Sequence, residues 1–198
     1  MKTYQFTATD FECYPENPKT EGLRNVLVNL GAMEFQAVCK SPENSYQLVP
    51  AFDKSFKARL ADLGYKPFDF KLGDGLKKEY DCAFTIGPST VVFEIEKANW
   101  EKVFFDLLKC HMYLKFKAHF AIIVLPKNWV HKRGEKSLFD IMKLRYAQSL
   151  QFGMGTPVLF GRILFLGYTV NFNGVRFSSV MRNQIREECR THFSSQQH

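Results

Sequence analysis

The chain has 198 residues, 45% of them hydrophobic and 15% aromatic, which is enough apolar material for one packed domain and too much for a disordered chain. Lys and Arg number 27 against 20 Asp and Glu, a formal net charge of +7, and that surplus favours a polyanionic partner such as nucleic acid. Cys13, Cys39, Cys82, Cys110 and Cys189 form no CxxC pair, which argues against a disulfide framework or a zinc site and points to a reducing cytoplasm.

No stretch approaches the roughly 18 apolar residues of a membrane helix, and MKTYQFTATDFE lacks the apolar run of a signal peptide. A single domain, 1–198, is expected, since no repeat, low-complexity tract or linker divides the chain.

In chain order, the first third reads as helices leading into a sheet. Leu23, Val26, Leu27 and Leu30 have helical spacing, with Gly31 placed to end the helix. Phe35 to Cys39 reads as a short strand. Phe52, Phe56, Leu60 and Leu63 mark a second helix between Pro50 and Gly64, with Asp53 and Lys54 on its exposed or site-facing side. Pro67 to Glu79 is a connector with a turn at Asp74-Gly75.

Ala83 to Thr85 and Val91 to Glu94 then read as paired strands around Gly87-Pro88-Ser89, the second favoured by β-branched Thr90, Val91 and Val92. The helix that follows carries Trp100, Val103, Phe104, Leu107 and Leu114 on one stripe. Glu101, Lys102, Asp106, Lys109 and Lys115 are expected on its other face. His111 falls on the apolar stripe, where a packed histidine is expected rather than a metal ligand.

Phe120 to Leu125 has no alternation, so a strand buried on both faces is expected, parallel to its predecessor through the helical crossover. A basic loop, Lys127 to Lys136, precedes a helix marked by Leu138, Ile141, Met142 and Leu144. Val158 to Leu166 is a long strand signal. Asn173-Gly174 between alternating Val170, Phe172 and Val175, Phe177 predicts a hairpin with a type I′ turn. Val180 to Arg190 reads as a charged, helical tail.

The acids have a pattern. Asp81 opens the first strand of the pair, and Glu94 and Glu96 lie two apart at the end of the second. Residues two apart on a strand point the same way, and carboxylates converging on one sheet end repel unless a cation sits between them. Oxygen ligands of this kind suit Mg²⁺. Such a cation neutralises a phosphodiester's developing charge and activates water. Asp81 and Glu94 are therefore expected to bind the metal directly, while Glu96 binds a second cation or deprotonates the attacking water. The plainer alternative is a solvated strand face on which Glu94 and Glu96 pair with lysines.

The order of lone acid, hairpin, Glu94-Ile95-Glu96, the link Lys97-Ala98-Asn99, helix and buried strand resembles the PD-(D/E)xK nuclease core. More narrowly, it resembles the type II restriction endonucleases of the BamHI, BglII and BstYI group, and FDLxKxHMxxK from Phe105 to Lys115 adds to the likeness. So do Val49 to Tyr65 and the glycine-rich Gly153 to Gly167.

The resemblance implies an α/β fold with a mixed central sheet flanked by helices and a catalytic core at about 50–168. It implies Asp81, Glu94 and Glu96 as a Mg²⁺ site, with Asp74 the alternative first acid and Asp53 an additional catalytic residue. It places Asn99, with Lys97 beside it, against DNA, and suggests a homodimer cutting double-stranded DNA at a palindrome with a GATC centre. Lys132 and Arg133, with Lys127 and Lys136, are expected either to meet phosphates or to form a plain solvated loop. Arg145, Arg162 and Arg176 are candidates for guanine edges. The rival expectations are another nuclease of the same superfamily, for repair or branched DNA, and a non-catalytic DNA-binding protein on the same scaffold.

Overall fold

The computed structural model describes residues 2–39, 48–70, 82–96, 101–131, 134–153 and 161–195. Its elements in order are β1 (Thr3–Tyr14), a 3₁₀ turn (Pro18–Thr20), α1 (Glu21–Val28), β2 (Met33–Val38), α2 (Leu48–Asp62), β3 (Cys82–Ile86), β4 (Ser89–Ile95) and α3 (Lys102–Phe116). Then follow β5 (Phe120–Pro126), β6 (Trp129–His131), β7 (Gly134–Lys136), α4 (Leu138–Gln151), β8 (Ile163–Phe172), β9 (Val175–Arg176) and α5 (Ser179–Ser194).

The main sheet runs β2-β1-β8-β5-β4-β3, with β9 paired to β8. β4, β5 and β8 are mutually parallel, while β3, β1, β2 and β9 are antiparallel to their neighbours. The fold is thus the expected α/β arrangement of a mixed sheet flanked by helices.

Two cores form because strand side chains alternate between faces. Val91, Phe93 and Ile95 of β4 pack with Phe52, Phe56 and Leu60 of α2 and with Leu23 and Leu27 of α1. Val92, with Ala121 and Ile123 of β5, packs under Leu107, Cys110 and Leu114 of α3 and Phe139, Met142 and Tyr146 of α4. β5 is buried from Ala121 to Pro126, as its unbroken apolar run requires. The β3–β4 hairpin, the α3 crossover to a parallel β5 and the Asn173-Gly174 turn all follow the sequence pattern. Asn173 and Gly174 both have positive φ, 50° and 75°, the backbone that a type I′ turn demands.

The N-terminus departs from expectation. Thr3–Tyr14 is not a prelude of helices but a 12-residue strand, and it lies between β2 and β8 inside the sheet. Tyr4, Phe6 and Ala8 are buried and alternate with Thr3, Gln5 and Thr7, and Cys13 is buried further along. A bulge between Thr9 and Glu12 interrupts its pairing with β8, and Asp10 there has φ 53°.

The basic loop departs too: β6 and β7 fold it into a small antiparallel hairpin. From Ile163 on, the late strand signal and the first arm of the hairpin are one continuous strand, β8, while Val158 to Phe160 lie outside the described residues. The cysteines, scattered in sequence, are not all scattered in space. The sulfurs of Cys39 and Cys189 meet, with Cα atoms 6.0 Å apart, the separation that a disulfide takes. Cys13, Cys82 and Cys110 are buried thiols. Among the described residues no helix is long and apolar enough to cross a membrane.

Candidate functional site

The register places Ile95 of β4 beside Val124 of β5, and Pro126 of β5 beside Tyr168 of β8. The carboxyl ends of three parallel strands therefore share one edge, which in open α/β sheets is where ligands bind. Glu94 of β4 and Glu96, just past its end, lie at that edge.

Glu94 alternates with Phe93 and Ile95 and so turns toward α3. It is only 7% exposed. A carboxylate at that depth needs a positive partner, and Lys109 Nζ stands 2.7 Å from its Oε1. The same ammonium lies 3.6 Å from Oδ1 of Asp106, one turn back along α3.

This corrects the expected orientation of the helix. Asp106 and Lys109 are not on its outer polar face: Asp106 is 5% exposed, and both side chains look toward the sheet. Glu101, Lys102 and Lys115 are exposed as expected, and Phe105, Leu108, Met112 and Phe116 are exposed with them. The cause is electrostatic, because a helix rotated to bury more apolar surface would leave Glu94 without its cation. Leu107 and Leu114 are buried as expected, and the side chains of Trp100, Val103 and Phe104 lie outside the described set. His111 is half-buried, with Nδ1 2.9 Å from the Leu107 carbonyl, as befits a packed histidine.

Glu96 follows the last residue of β4, and its backbone N–H donates to the Val124 carbonyl at 3.1 Å. Its side chain is half-buried, and its charge is felt on both sides of the sheet. Burial pushes the Asp106 carboxyl up to about 6, and the negative charge of Glu96 adds to that rise against the pull of Lys109. On the opposite face, burial raises the Tyr168 hydroxyl, and the charges of Asp53 and Glu96 raise it further.

Asp53 is half-buried on α2, next to Phe52, whose ring stacks on Tyr168 at 4.2 Å. Glu94 thus faces the α3 layer near the end of β4, Glu96 follows at the strand end, and Asp53 stands on α2 in the opposite layer.

Asp81, Asp74, Lys97, Asn99, Lys132 and Arg133 lie outside the described residues. Cys82, which follows Asp81, pairs with Phe93, which precedes Glu94. Lys127 is held by Glu12 at 2.8 Å and by the Asp10 carbonyl, and Lys136 is exposed. Arg162 donates to the carbonyls of His119 and Ala118, Arg176 to Glu135 and Arg145 to Gln148. Arg162 therefore serves the start of β5 rather than an outer surface.

Three residues escaped the sequence reading as site members: Lys109, Asp106 and Tyr168. The first two carry a signal, an acid and a lysine three apart on the helix that follows Glu94. Tyr168 carries none, being one aromatic within an apolar strand.

In kind, the donors suit a hard divalent cation: the side-chain donors are carboxylate oxygens, and Glu94 already accepts a positive group. In number they are few. Among the described residues no three His, Cys, Asp or Glu side chains gather closely enough to hold a metal, so Glu94 and Glu96 would supply one or two ligands. That is the usual protein share at a Mg²⁺ site completed by substrate phosphate. Comparison with known protein families and with curated proteins finds no match for this chain.

Proposed function

We propose that the protein is a Mg²⁺-dependent DNA endonuclease of the type II restriction class, acting as a homodimer on double-stranded DNA at a short palindrome with a GATC centre. The observation that carries this reading is the position of Glu94 and Glu96 at the carboxyl end of β4, beside those of the parallel strands β5 and β8. The antiparallel β3–β4 hairpin and the crossover through α3 lead into that edge. The net charge of +7 favours a polyanion. Its place of action would be the cytoplasm, where DNA lies.

Glu94 and Glu96, with Asp81, would hold Mg²⁺, which supplies neutralisation of the phosphate and activation of water. Glu96, at the strand end and half-exposed, orients the attacking water and accepts its proton. Asp53, on α2, would be an additional catalytic residue. Asn99 and Lys97 follow directly on Glu96 in the chain and would meet the bases, while Lys132 and Arg133 would meet phosphates. The exposed stripe Phe105, Leu108, Met112 and Phe116 on α3, with Leu144 on α4 and Phe152 just past its end, offers a second copy an apolar face.

Digestion of a plasmid of known sequence in Mg²⁺ tests this. The wild type should give discrete fragments, Glu94→Ala none, and Glu96→Ala far less product while still binding DNA in Ca²⁺. A plasmid left intact over a range of salts and divalent metals would count against cleavage. Cutting at branches without fixed sites would indicate a repair-type nuclease instead.

A further inference from the structure

Lys109 is a long cationic side chain with two carboxylates in reach and little water. The side chains of Lys109, Glu94 and Asp106 keep 16%, 9% and 7% of their exposure. An ammonium so placed does not leave for solvent cheaply. It can, however, shift its weight from Glu94 Oε1 at 2.7 Å to Asp106 Oδ1 at 3.6 Å. That shift needs only the last torsions of the lysine, because Asp106 sits one turn away on the same helix.

A divalent cation ligated by Glu94 Oε1 would stand a few ångströms from the Nζ now there, and two positive charges at that distance in a poorly hydrated pocket repel strongly. The two therefore exclude each other at that oxygen. We propose that Lys109 is the built-in occupant of the cation position at Glu94, displaced onto Asp106 when a divalent metal binds. This rests on the reading of Glu94 as a metal ligand.

The arrangement has a purpose that the burial explains. A carboxylate at that depth is costly without a positive charge beside it, and Lys109 supplies one in the metal-free protein. Asp106 then acts as a receiver for the ammonium that the metal displaces. Lys109 and Asp106 are positioning residues here: neither touches substrate.

Mn²⁺ binding by titration calorimetry provides the test, with wild type, Lys109→Met, Asp106→Asn, the double variant and Glu94→Gln. Lys109→Met should bind Mn²⁺ about tenfold tighter, and its melting temperature should rise more with Mn²⁺ than the wild type's does. Asp106→Asn should weaken Mn²⁺ binding, since it removes the carboxylate that receives Lys109, and that weakening should disappear in the Lys109→Met background. A weakening that persists there is a plain charge effect and overturns the displacement.

Unchanged or weaker binding by folded Lys109→Met also overturns it. Should Lys109→Met fail to fold, ammonium NMR of the wild type decides. The Lys109 signal, identified by its loss in Lys109→Arg, should move in step with Mg²⁺, and a signal that stays in place refutes the idea. Glu94→Gln separates the two claims. If it binds Mn²⁺ as the wild type does, the metal reading falls and this inference with it. If it loses binding while Lys109→Met is no tighter, only the role of Lys109 falls.

Discussion

Asp106 shows how one residue's surroundings become a pH dependence. Burial and the charge of Glu96 raise its carboxyl from 3.8 to about 6, while Lys109 and Lys102 pull it down. The folded protein therefore holds this proton more tightly than the unfolded chain does. The resulting stabilisation is complete below the ordinary value and is lost as pH rises through about 6. With solvent screening allowed for, it amounts to about 1–2 kcal/mol. Urea unfolding at pH steps between 4 and 7 should show a falling component that Asp106→Asn, which cannot titrate, flattens. An identical slope in the variant would assign the fall to other groups. At the same scale, Glu94 explains why α3 presents Lys109 inward: one buried carboxylate outweighs the gain from hiding another apolar side chain.

At the scale of elements, α4 reaches the sheet through a gap that only a missing side chain leaves open. A Cβ on Gly167 of β8 would stand 2.7 Å from Cγ of Phe139. That ring is 1% exposed and Gly167 lies within a buried strand, so neither side can yield. Gly167→Ala should cost about 1–3 kcal/mol by overpacking, readable as a lower urea midpoint with an unchanged slope. A neutral result would mean that α4 can slide on the sheet. The β6–β7 hairpin belongs to this scale as well. Short strands with few apolar residues pair there because Trp129 to His131 and Gly134 to Lys136 are adjacent in the chain, and so a basic stretch that reads as loop becomes a two-stranded arm.

For the whole molecule, the consequential surface is the outer side of α3 and α4. Leu108 and Phe116 are each 63% exposed, and with Phe105 and Met112 they repeat at helical spacing. Apolar side chains so aligned and left in water mark an interaction face. A homodimer on a palindrome would use it. Sedimentation should show a dimer for the wild type and a shift toward monomer for Leu108→Glu with Phe116→Glu. A wild type that stays monomeric at high concentration would remove the two-fold part of the proposal.

What the sequence determined by itself was the local order: where chains alternate, where apolar runs are unbroken, where Asn-Gly turns, and that two glutamates end a strand before a helix. Those features depend on neighbours a few residues apart, and the structure keeps them. The long first strand was legible in the alternation of Tyr4, Phe6 and Ala8, yet its place between β2 and β8 was not, because pairing with residues some 160 positions away leaves no local trace. The same holds for the candidate site. Glu94 and Glu96 stand out in the sequence, but the pairing of Lys109 with Glu94 and Asp106 is made by packing α3 against the sheet. Only the tertiary structure could decide which face of α3 carries its charges, since that choice answers to a carboxylate on another element.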